Sequence, residues 1–391
     1  MAKEQLFRSY LEIALYLVQH YRGKTPFSLF LKDYFSSNKK YGSRDRKFIS
    51  HLCYCYYRSG HALKTISPEK KMITSLFLCS AESNDLLKNL HSEWNEKASL
   101  SLEDKIRLLE PVFIPEDVFP WSYELSVGID TEAFYLSHLI QPFIFLRIRP
   151  RHEKAVIAKL EAGRINFERI HERCLAFPNT TKLEDTVTLN KEAVVQDLNS
   201  QNTSEFLKFV QWPSSREVWD CCAASGGKSL MLYDMKPDIK LTVSDVRENI
   251  LHNLGKRFAT AGISDYKSFL IDLSANHIHP PANGYQLIIA DVPCSGSGTW
   301  SRTPEQLYFF VKNKIDEYAA LQQKILTAVI PALLPGGYLL YITCSVFKKE
   351  NESIVMHLQQ NQKLQLIKMG LLRGYDRKAD TLFAALLKKP S

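Results

Sequence analysis

"YQLIIADVPCSGSG", residues 285–298, is the stretch that decides the fold. A mostly apolar run leads up to Asp291, and a proline, a cysteine and two glycines follow it. A short apolar run that ends at turn-forming residues is typical of a buried strand. A second such run, "YLLYITCS" at 338–345, also ends in a cysteine followed by a serine. If both runs are parallel strands of one sheet, Cys294 and Cys344 lie at the same sheet edge and share one pocket.

Similar strand patterns recur after residue 206 and alternate with helical stretches. They are "EVWDCC" (217–222), "KLTVSD" (240–245), "SFLID" (268–272) and "TLFAALLK" (381–388). Strands that alternate with helices predict a doubly wound, Rossmann-like α/β domain over residues 206–391, with ligands at the carboxyl ends of its strands.

The chain before residue 206 has a different pattern of apolar and turn-forming residues. Residues 1–112 carry apolar residues at helical spacing, which predicts a helical domain. Residues 113–141 contain two prolines and a glycine and are expected to be a linker. Residues 142–205 begin with the alternating strand "FIFLRIRP" and continue into a helical stretch, which predicts a small α+β module.

Composition narrows the class of protein. Lysine and arginine number 50 against 42 acids, and this excess of +8 favours a polyanionic partner without proving one. The eight cysteines show neither paired metal-ligand spacing nor the density of a small secreted disulfide scaffold. We therefore expect reduced thiols, no metal site and a cytoplasmic protein. No apolar run reaches the roughly 18 residues that span a bilayer, so a soluble monomer without a membrane partner is expected.

The turn after the first strand of the α/β domain, "DCCAASGGKS" at 220–229, places Gly226 and Gly227 before a helix. Such glycines allow a ligand to approach the backbone closely. The spacing is neither GxGxxG nor GxxxxGK[ST], which argues against ordinary dinucleotide binding and against NTP hydrolysis. Asp245 ends the second strand, about 20 residues further on, where a carboxylate accepts hydrogen bonds from ribose hydroxyls.

Acidic residues also follow the third and fourth strands, at Asp272 and Asp291. A single acid in such a position often caps the next helix, and a single cysteine is more often a small buried hydrophobe than a nucleophile. Polar residues at four consecutive strand ends, with two cysteines at matched ends, favour a functional site instead. The pattern predicts a pocket for a nucleoside cofactor that lacks a polyphosphate.

Four motifs make the reading more specific, namely "DCCAASGGKS", "SDVREN", "ADVPCSGSGT" and "YITCSVFKKENE". They resemble the successive motifs of the Fmu/Sun family of RNA cytosine-5 methyltransferases. "YGSRDRKFISHLCYCYYR" (41–58) is similar to the NusB-like helical extension of that family. "AVVQDLNSQNTSEFL" (193–207) resembles the segment that joins its small RNA-binding module to the catalytic domain. The family usually has proline where this chain has Ser225.

The resemblance implies S-adenosylmethionine as cofactor and RNA as substrate, with 16S ribosomal RNA expected. It implies that Cys344 is the nucleophile, that Cys294 assists product release and that Asp291 binds the cytosine edge. Lys228 is expected to favour a thiolate or to orient the base. The expected cofactor-binding residues are Cys222, Ala223, Ala224, Gly226, Gly227, Lys228, Asp245, Asp272 and Asp291.

The chemistry explains why two cysteines are useful. Carbon 5 of cytosine is a poor nucleophile, and a thiolate that adds to carbon 6 makes carbon 5 nucleophilic. Three alternatives stay open: a methyltransferase for tRNA, a methyltransferase for an exocyclic or side-chain nitrogen, and a noncatalytic RNA-binding factor in ribosome assembly. The nitrogen enzymes favour an aromatic residue where this chain has Cys294, and retention of both cysteines and Asp291 argues against the noncatalytic factor.

Two basic clusters are candidates for RNA contact. The first combines basic and aromatic residues of the helical domain and comprises Tyr34, Lys39, Lys40, Tyr41, Arg44, Arg46 and Lys47. In the second, Arg147, Arg149 and Arg151 alternate along one face of a strand in the small module. Either cluster by itself is more often a solvated surface than a binding site.

Overall fold

The computed structural model describes residues 2–212, 216–275 and 284–391. The chain forms two compact units, and each unit is built from more than one segment. The first unit contains the residues up to 123, together with 129–141 and 299–312. The second unit contains 124–128, 142–298 and 313–391. The stretch expected to be a linker, 113–141, is therefore divided between the two units.

The first unit is helical. Its helices before the small sheet are α1 (Ala2–His20), α2 (Phe27–Ser37), α3 (Ser43–Arg58), α4 (Pro68–Cys79), α5 (Asp85–Leu90), α6 (Ser92–Glu96), α7 (Leu102–Leu108) and α8 (Thr131–Ser137). Local sequence explains where they begin: α4, for example, has Pro68 in its first turn and Ser67 as a cap that accepts a hydrogen bond from the Lys70 N–H.

The small sheet in the second unit has four strands in the order β2-β3-β1-β4. The strands are β1 (Ile144–Ile148), β2 (Glu168–His171), β3 (Cys174–Phe177) and β4 (Ala193–Val195), with helix α9 (Glu153–Ala162) between β1 and β2. β1 pairs antiparallel with both β3 and β4. The apolar residues of β1, such as Leu146 and Ile148, form a core with Val156 and Leu160 of α9.

The large sheet has seven strands in the order β10-β11-β9-β8-β5-β6-β7. They are β5 (Glu217–Asp220), β6 (Lys240–Asp245), β7 (Tyr266–Leu270), β8 (Tyr285–Asp291), β9 (Leu333–Thr343), β10 (Gln365–Leu372) and β11 (Leu382–Lys388). The helices that accompany the second unit are α10 (Leu198–Asn202), α11 (Ser204–Leu207), α12 (Gly227–Met235), α13 (Glu248–Ala261), α15 (Lys314–Val329) and α16 (Glu352–Asn361).

The predicted Rossmann-like α/β fold is confirmed by the five strands β5 to β9, which pair with one another in parallel. β8 is buried on both faces, since Leu287 and Ile289 belong to one apolar core and Ile288 and Ala290 to another. The run "TLFAALLK" is a strand, as predicted, but β11 lies antiparallel between β9 and β10. β10 has no counterpart among the predicted strands, because its half-buried edge residues do not form an apolar run.

One helix of the first unit comes from a distant part of the sequence. Helix α14 (Pro304–Phe309) follows the Cys294 loop along the chain, but it packs against α3. The rings of Tyr308 and Tyr57 lie 5.4 Å apart, and those of Phe309 and Tyr21 lie 5.3 Å apart. Segment 299–312 is thus part of the aromatic core of the helical unit. Among the described residues, no helix is both long and apolar enough to cross a membrane.

Candidate active site

Cys294 and Cys344 lie side by side at the carboxyl ends of adjacent parallel strands. Cys294 follows β8 and Cys344 follows β9, and the register pairs Asp291 with Ile342. The two Sγ atoms are 3.2 Å apart, both thiols are free, and both residues are half-buried. The shared position that the two sequence patterns predict is therefore present.

Asp291, the last residue of β8, forms an ion pair with Lys228 in the first turn of α12. The Lys228 Nζ donates to Asp291 Oδ2 at 2.5 Å. Burial alone would lower the pKa of Lys228, but the negative charges of Asp291 and Asp220 and the interaction with Cys344 outweigh it, and the pKa is raised. A firmly protonated ammonium therefore lies on the Cys344 side of the thiol pair.

Glu350 supplies the opposite charge behind the other thiol, and no sequence pattern singled it out. Its side chain is fully buried, and it accepts hydrogen bonds from the Ser295 N–H at 2.9 Å, from the Ser345 hydroxyl at 2.7 Å and from Gln322 Nε2 at 2.9 Å. It thereby joins the loop after Cys294 to the loop after Cys344. Burial raises the pKa of the Glu350 carboxyl, although these donors oppose the effect.

The surroundings of the two thiols are not equivalent. The hydrogen bond with Cys344, burial, and the charges of Cys344 and Glu350 together raise the pKa of Cys294 well above that of a free thiol. Cys294 is thus held in its protonated form, whereas the nearby cation, Lys228, interacts with Cys344. The two thiols of the pair therefore differ in their charged neighbours, Glu350 for Cys294 and Lys228 for Cys344.

The turn between β5 and α12 adopts a backbone that few residues tolerate. Ala224 has φ of 46° and Gly226 has φ of 76°. A Cβ atom on Gly226 would lie 2.7 Å from Cε1 of Phe258 in α13, so only glycine fits there. The turn consequently rests directly on α13, and its backbone faces the edge of the sheet where the cysteines lie.

Asp245, at the end of β6, holds this turn in place. Its carboxylate accepts hydrogen bonds from the N–H groups of Ala224 and Arg247, each at 3.0 Å, and from the Arg247 Nε at 3.0 Å. Burial raises its pKa, but the hydrogen bonds and the charge of Arg247 outweigh burial, and the pKa of Asp245 is lowered. Asp245 is therefore ionised, and the exposed Arg247 side chain occupies acceptor positions that ribose hydroxyls would require.

A cavity of about 570 Å³ extends along this sheet edge from Asp245 to the cysteines. Its volume lies in the usual range for small-molecule sites. Of the predicted site residues, it is lined by Cys222, Ala224, Asp245, Asp272, Asp291, Cys294 and Cys344. Ala223, Gly226, Gly227 and Lys228 do not line it; Ala223 is buried, and Lys228 reaches the site through Asp291. Apolar side chains such as Val246 and Leu273 also line the cavity, which suits an adenine ring.

Asp220, the last residue of β5, is a second buried acid without a predicted role. It accepts a hydrogen bond from the Ser229 hydroxyl at 2.5 Å. Burial, reinforced by the charge of Asp291, raises the pKa of Asp220 to about 7, although the Ser229 hydroxyl and Lys228 act against this. The only sequence signal was its position at a strand end, directly before Cys221.

The predicted RNA contacts of Arg147 and Arg149 are wrong. Both side chains are buried against Asp234 in α12: Arg147 Nη1 lies 2.6 Å from Asp234 Oδ2, and Arg149 Nη2 lies 2.8 Å from Asp234 Oδ1. Their exposed fractions are only 9% and 11%. These arginines tie the small sheet to the Rossmann-like domain, and they are not available to a phosphate backbone. Arg151, the third member of the cluster, is exposed.

The other basic cluster, on the helical unit, is at the surface. Arg44 pairs with Asp85 at 2.7 Å, and 71% of its side chain is exposed. Lys40 lies over the ring of Tyr41, and the rings of Tyr34 and Tyr41 are stacked. Lys39 and Lys47 are also exposed. RNA binding by this cluster stays a prediction.

Comparison with known proteins places this geometry in context. Residues 210–383 match the family described as 16S rRNA methyltransferase RsmB/F. The chain is 31% identical over 210 residues to ribosomal RNA small subunit methyltransferase B of Xanthomonas campestris and 33% identical over 197 residues to that of Shewanella oneidensis. Each match covers 50% of this chain, and 47% and 42% of those relatives. The chain therefore matches less than half the length of these relatives, and the family resemblance that the motifs indicate is confirmed over that part.

Solved structures agree on the fold. The crystal structure of PH0851 has a TM-score of 0.67 and 20% identity and covers 99% of both chains. NSun6 from Pyrococcus horikoshii, solved with SFG, has a TM-score of 0.54 and 14% identity over 64% of this chain and 92% of that one. At these identities, the likeness concerns the fold alone.

Proposed function

We propose, from the resemblance of residues 210–383 to the 16S rRNA methyltransferase RsmB/F family, that this protein methylates carbon 5 of a cytosine in ribosomal RNA. The proposed cofactor is S-adenosylmethionine, which supplies an electrophilic methyl group when bound. The observation that carries the proposal is the 3.2 Å approach of Cys294 and Cys344 beside the Lys228–Asp291 pair. Two thiols that reach the same base suit an enzyme that forms and then releases a covalent adduct.

In the proposed mechanism, the Cys344 thiolate forms a bond to carbon 6 of cytosine. The electrons of the 5,6 double bond then make carbon 5 nucleophilic, and carbon 5 accepts the methyl group. A water molecule in the pocket is proposed to accept the proton from carbon 5. The electrons of that C–H bond restore the 5,6 double bond, and the sulfur leaves carbon 6 as the Cys344 thiolate. Lys228 supports the thiolate, and Asp291 hydrogen-bonds the amino group and N3 edge of the base, which steadies the charge that develops during addition.

Cys294 is proposed to act after methyl transfer. Its raised pKa keeps it a thiol while Cys344 adds to the base. It lies close enough to Cys344 to assist elimination from the same face of the pocket. Asp245, Asp272, Cys222 and Ala224 are proposed to hold the cofactor, because they line the same cavity as the two thiols.

We also propose the finer features that the resemblance implies. Residues 1–112 form a NusB-like helical domain that contributes to RNA binding, 113–141 connect it onward, 142–205 form the small RNA-binding module, and 206–391 form the catalytic domain. The protein acts as a monomer in the cytoplasm. The target cytosine must leave its stack to reach the thiols, as in other enzymes that modify a base.

The test uses labelled S-adenosylmethionine, 16S ribosomal RNA and tRNA as substrates, followed by mapping of 5-methylcytosine. We expect methylation of ribosomal RNA by the wild type and none by Cys344→Ala. Cys294→Ala should accumulate a protein–RNA adduct that is visible on a denaturing gel and requires both RNA and cofactor.

The controls make the assignment specific. The adduct should vanish in the double variant Cys294→Ala/Cys344→Ala, and Cys222→Ala, which removes another thiol that lines the cavity, should trap no RNA. An adduct that forms with Cys344→Ala and requires Cys294 would exchange the two roles. Methylation that survives in both single variants would exclude covalent catalysis, and label on tRNA alone would change the substrate.

A further inference from the structure

Arg257 of α13 is hydrogen-bonded to the turn between β5 and α12 from outside the cavity. Its Nη1 donates to the Ser225 carbonyl at 3.1 Å and to the Ser225 hydroxyl at 3.0 Å. The same nitrogen lies 3.8 Å from the position that a Cβ on Gly227 would take. One guanidinium thus holds both the backbone and the side chain at the exposed tip of the turn.

Another nitrogen of the Arg257 guanidinium, Nε, is bound by a residue of the small sheet domain. Its Nε donates to Asn190 Oδ1 at 2.8 Å, and Asn190 itself has a φ of 67°. Arg149 donates to the Asn190 carbonyl at 3.0 Å. Since Arg149 is in turn paired with Asp234, the Asn190 loop is held in place from two sides. Arg257 therefore bridges a fixed loop and the turn at Ser225.

The turn needs such support because its sequence provides little stiffness. Ala224 is held at a positive φ, a backbone conformation that residues with a side chain rarely adopt. Serine at 225 leaves more conformations open to the unfolded or loosened turn than a proline would. The position of the turn also matters for the cavity, because the Ala224 N–H donates to Asp245.

We propose that Arg257 is a positioning residue for cofactor binding. It orders the turn at Ser225 from outside and so compensates for the lack of a stiffer residue, such as proline, within the turn. The inference rests on the cofactor named in the proposed function. Arg257 touches neither the cavity nor the thiols. It acts through Ser225 on Ala224, and through Ala224 on Asp245.

The test measures the Kd of S-adenosylhomocysteine by calorimetry on the full-length protein. Arg257→Ala should raise the Kd about tenfold, because charge-assisted hydrogen bonds that order the turn are lost. Lys256→Ala removes the neighbouring cation of the same helix, which is exposed, and should leave the Kd within about twofold of the wild-type value.

The discriminating step is Ser225→Pro, which stiffens the turn from within. In that background, Arg257→Ala should change the Kd by no more than about twofold, since the turn no longer depends on the bridge. A merely structural loss would lower the melting temperature but would not be cancelled by proline. An unchanged Kd in Arg257→Ala, or the same tenfold loss in the proline background, would overturn the inference.

A second variant covers the case in which Arg257→Ala does not fold. Asn190→Gly keeps the positive φ and the Arg257 charge but removes the carboxamide that fixes Nε, and it should also raise the Kd in a way that Ser225→Pro cancels. An unchanged Kd in Asn190→Gly would then count against the bridge. Failure of the wild type to bind S-adenosylhomocysteine would instead refute the proposed cofactor, and this inference with it.

Discussion

At the scale of single residues, the site is organised by two charges that face different thiols. Lys228 interacts with Cys344, and Glu350 lies behind Cys294. Hydrogen bonds hold both charged groups in place, from Lys228 to Asp291 and from Ser295 and Ser345 to Glu350. Cys294 and Cys344 have chemically identical side chains, so the difference between their roles depends on the residues that lie next to each of them.

Glu350→Gln tests this division because glutamine keeps the shape and an acceptor oxygen but removes the charge. In a Cys344→Ala background, we expect the midpoint of Cys294 alkylation by iodoacetamide to shift to lower pH when Glu350→Gln is added, since a nearby anion no longer disfavours the thiolate. Mass spectrometry of the peptide that contains Cys294 gives the rate at each pH.

Glu352→Gln is the matched control for this experiment. Glu352 accepts hydrogen bonds from the Ser126 hydroxyl and the Val127 N–H, whereas Glu350 binds the loops that carry the two cysteines. It should leave the alkylation midpoint unchanged. An equal midpoint with and without Glu350→Gln would show that this charge does not control Cys294.

Asp220 gives a pH dependence of stability. Its folded-state pKa of about 7 lies above the 3.8 of an ordinary aspartate, so the folded protein retains a proton that the unfolded chain releases. Its contribution to stability is therefore full below about pH 4 and is lost as the pH rises towards 7. Asparagine does not ionise, so Asp220→Asn does not lose stability as the pH rises. Its melting temperature should therefore exceed that of the wild type by more at pH 8 than at pH 5. A constant difference between the two proteins would contradict the raised pKa.

Some of these residues are predictable from the sequence and others are not, for a physical reason. Cys294, Cys344, Asp245 and Asp291 follow apolar strands directly, and the chain direction of a parallel sheet brings such positions together. Ser345 is a near neighbour of Glu350 in the sequence, but the other two partners of Glu350, Ser295 and Gln322, are 55 and 28 residues away. Such a contact depends on tertiary packing, and no local pattern reports it.

At the scale of elements, Arg147 and Arg149 also show that a local sequence pattern does not predict tertiary contacts. Arg147 in β1 and Arg149 directly after it share one face, as the alternating pattern indicates, but both pack on Asp234 and are not exposed. Period-two spacing tells which residues share a face of a strand, but not what covers that face. The order of the large sheet follows the same rule: the parallel strands were predictable from their apolar runs, whereas the antiparallel placement of β11 was not.

The Arg147–Asp234–Arg149 cluster connects β1 to α12, and its removal should be costly. Asp234→Ala leaves two guanidinium groups buried without their carboxylate, which destabilises by about 3–5 kcal/mol. We expect a marked fall in the urea midpoint of the second unit, followed by the fluorescence of its two tryptophans, Trp212 and Trp219. Asp316→Ala, which breaks the exposed pair with Lys349, should cost less than about 1 kcal/mol. Similar shifts for both variants would mean that the buried cluster adds no stability.

At the scale of the whole molecule, the helical unit is not confined to the N-terminal part of the sequence. Its core includes α14, where Leu307 is fully buried and Glu305 accepts from the Phe27 N–H at 3.4 Å. The chain enters this helix directly after the Cys294 loop, which is anchored by the hydrogen bond from the Gly298 N–H to the Cys344 carbonyl at 2.9 Å.

Deletion of residues 1–112 should therefore not yield a well-behaved catalytic fragment. Leu307, Tyr308 and Phe309 lose their partners in α3 and in the segment directly after α1, and they become an exposed apolar patch. We therefore expect aggregation and strong binding of a hydrophobic dye. Size-exclusion chromatography checks this. The same deletion with 304–310 replaced by a glycine–serine linker should elute as a monomer, and monodisperse behaviour of the simple deletion would contradict the role of α14.

Because the helical unit is built from separate segments of the chain, its parts are synthesised at different times during translation. Segment 299–312 leaves the ribosome after about 190 further residues have followed position 123, which takes roughly 10–40 s at ordinary elongation rates. Until then, the aromatic surface around Tyr21 and Tyr57 lacks the rings of Tyr308 and Phe309. Most of the Rossmann-like domain is synthesised during that interval. The part of the protein that is translated first is thus completed late, and the nascent chain must keep an unfinished aromatic core from aggregating while it waits.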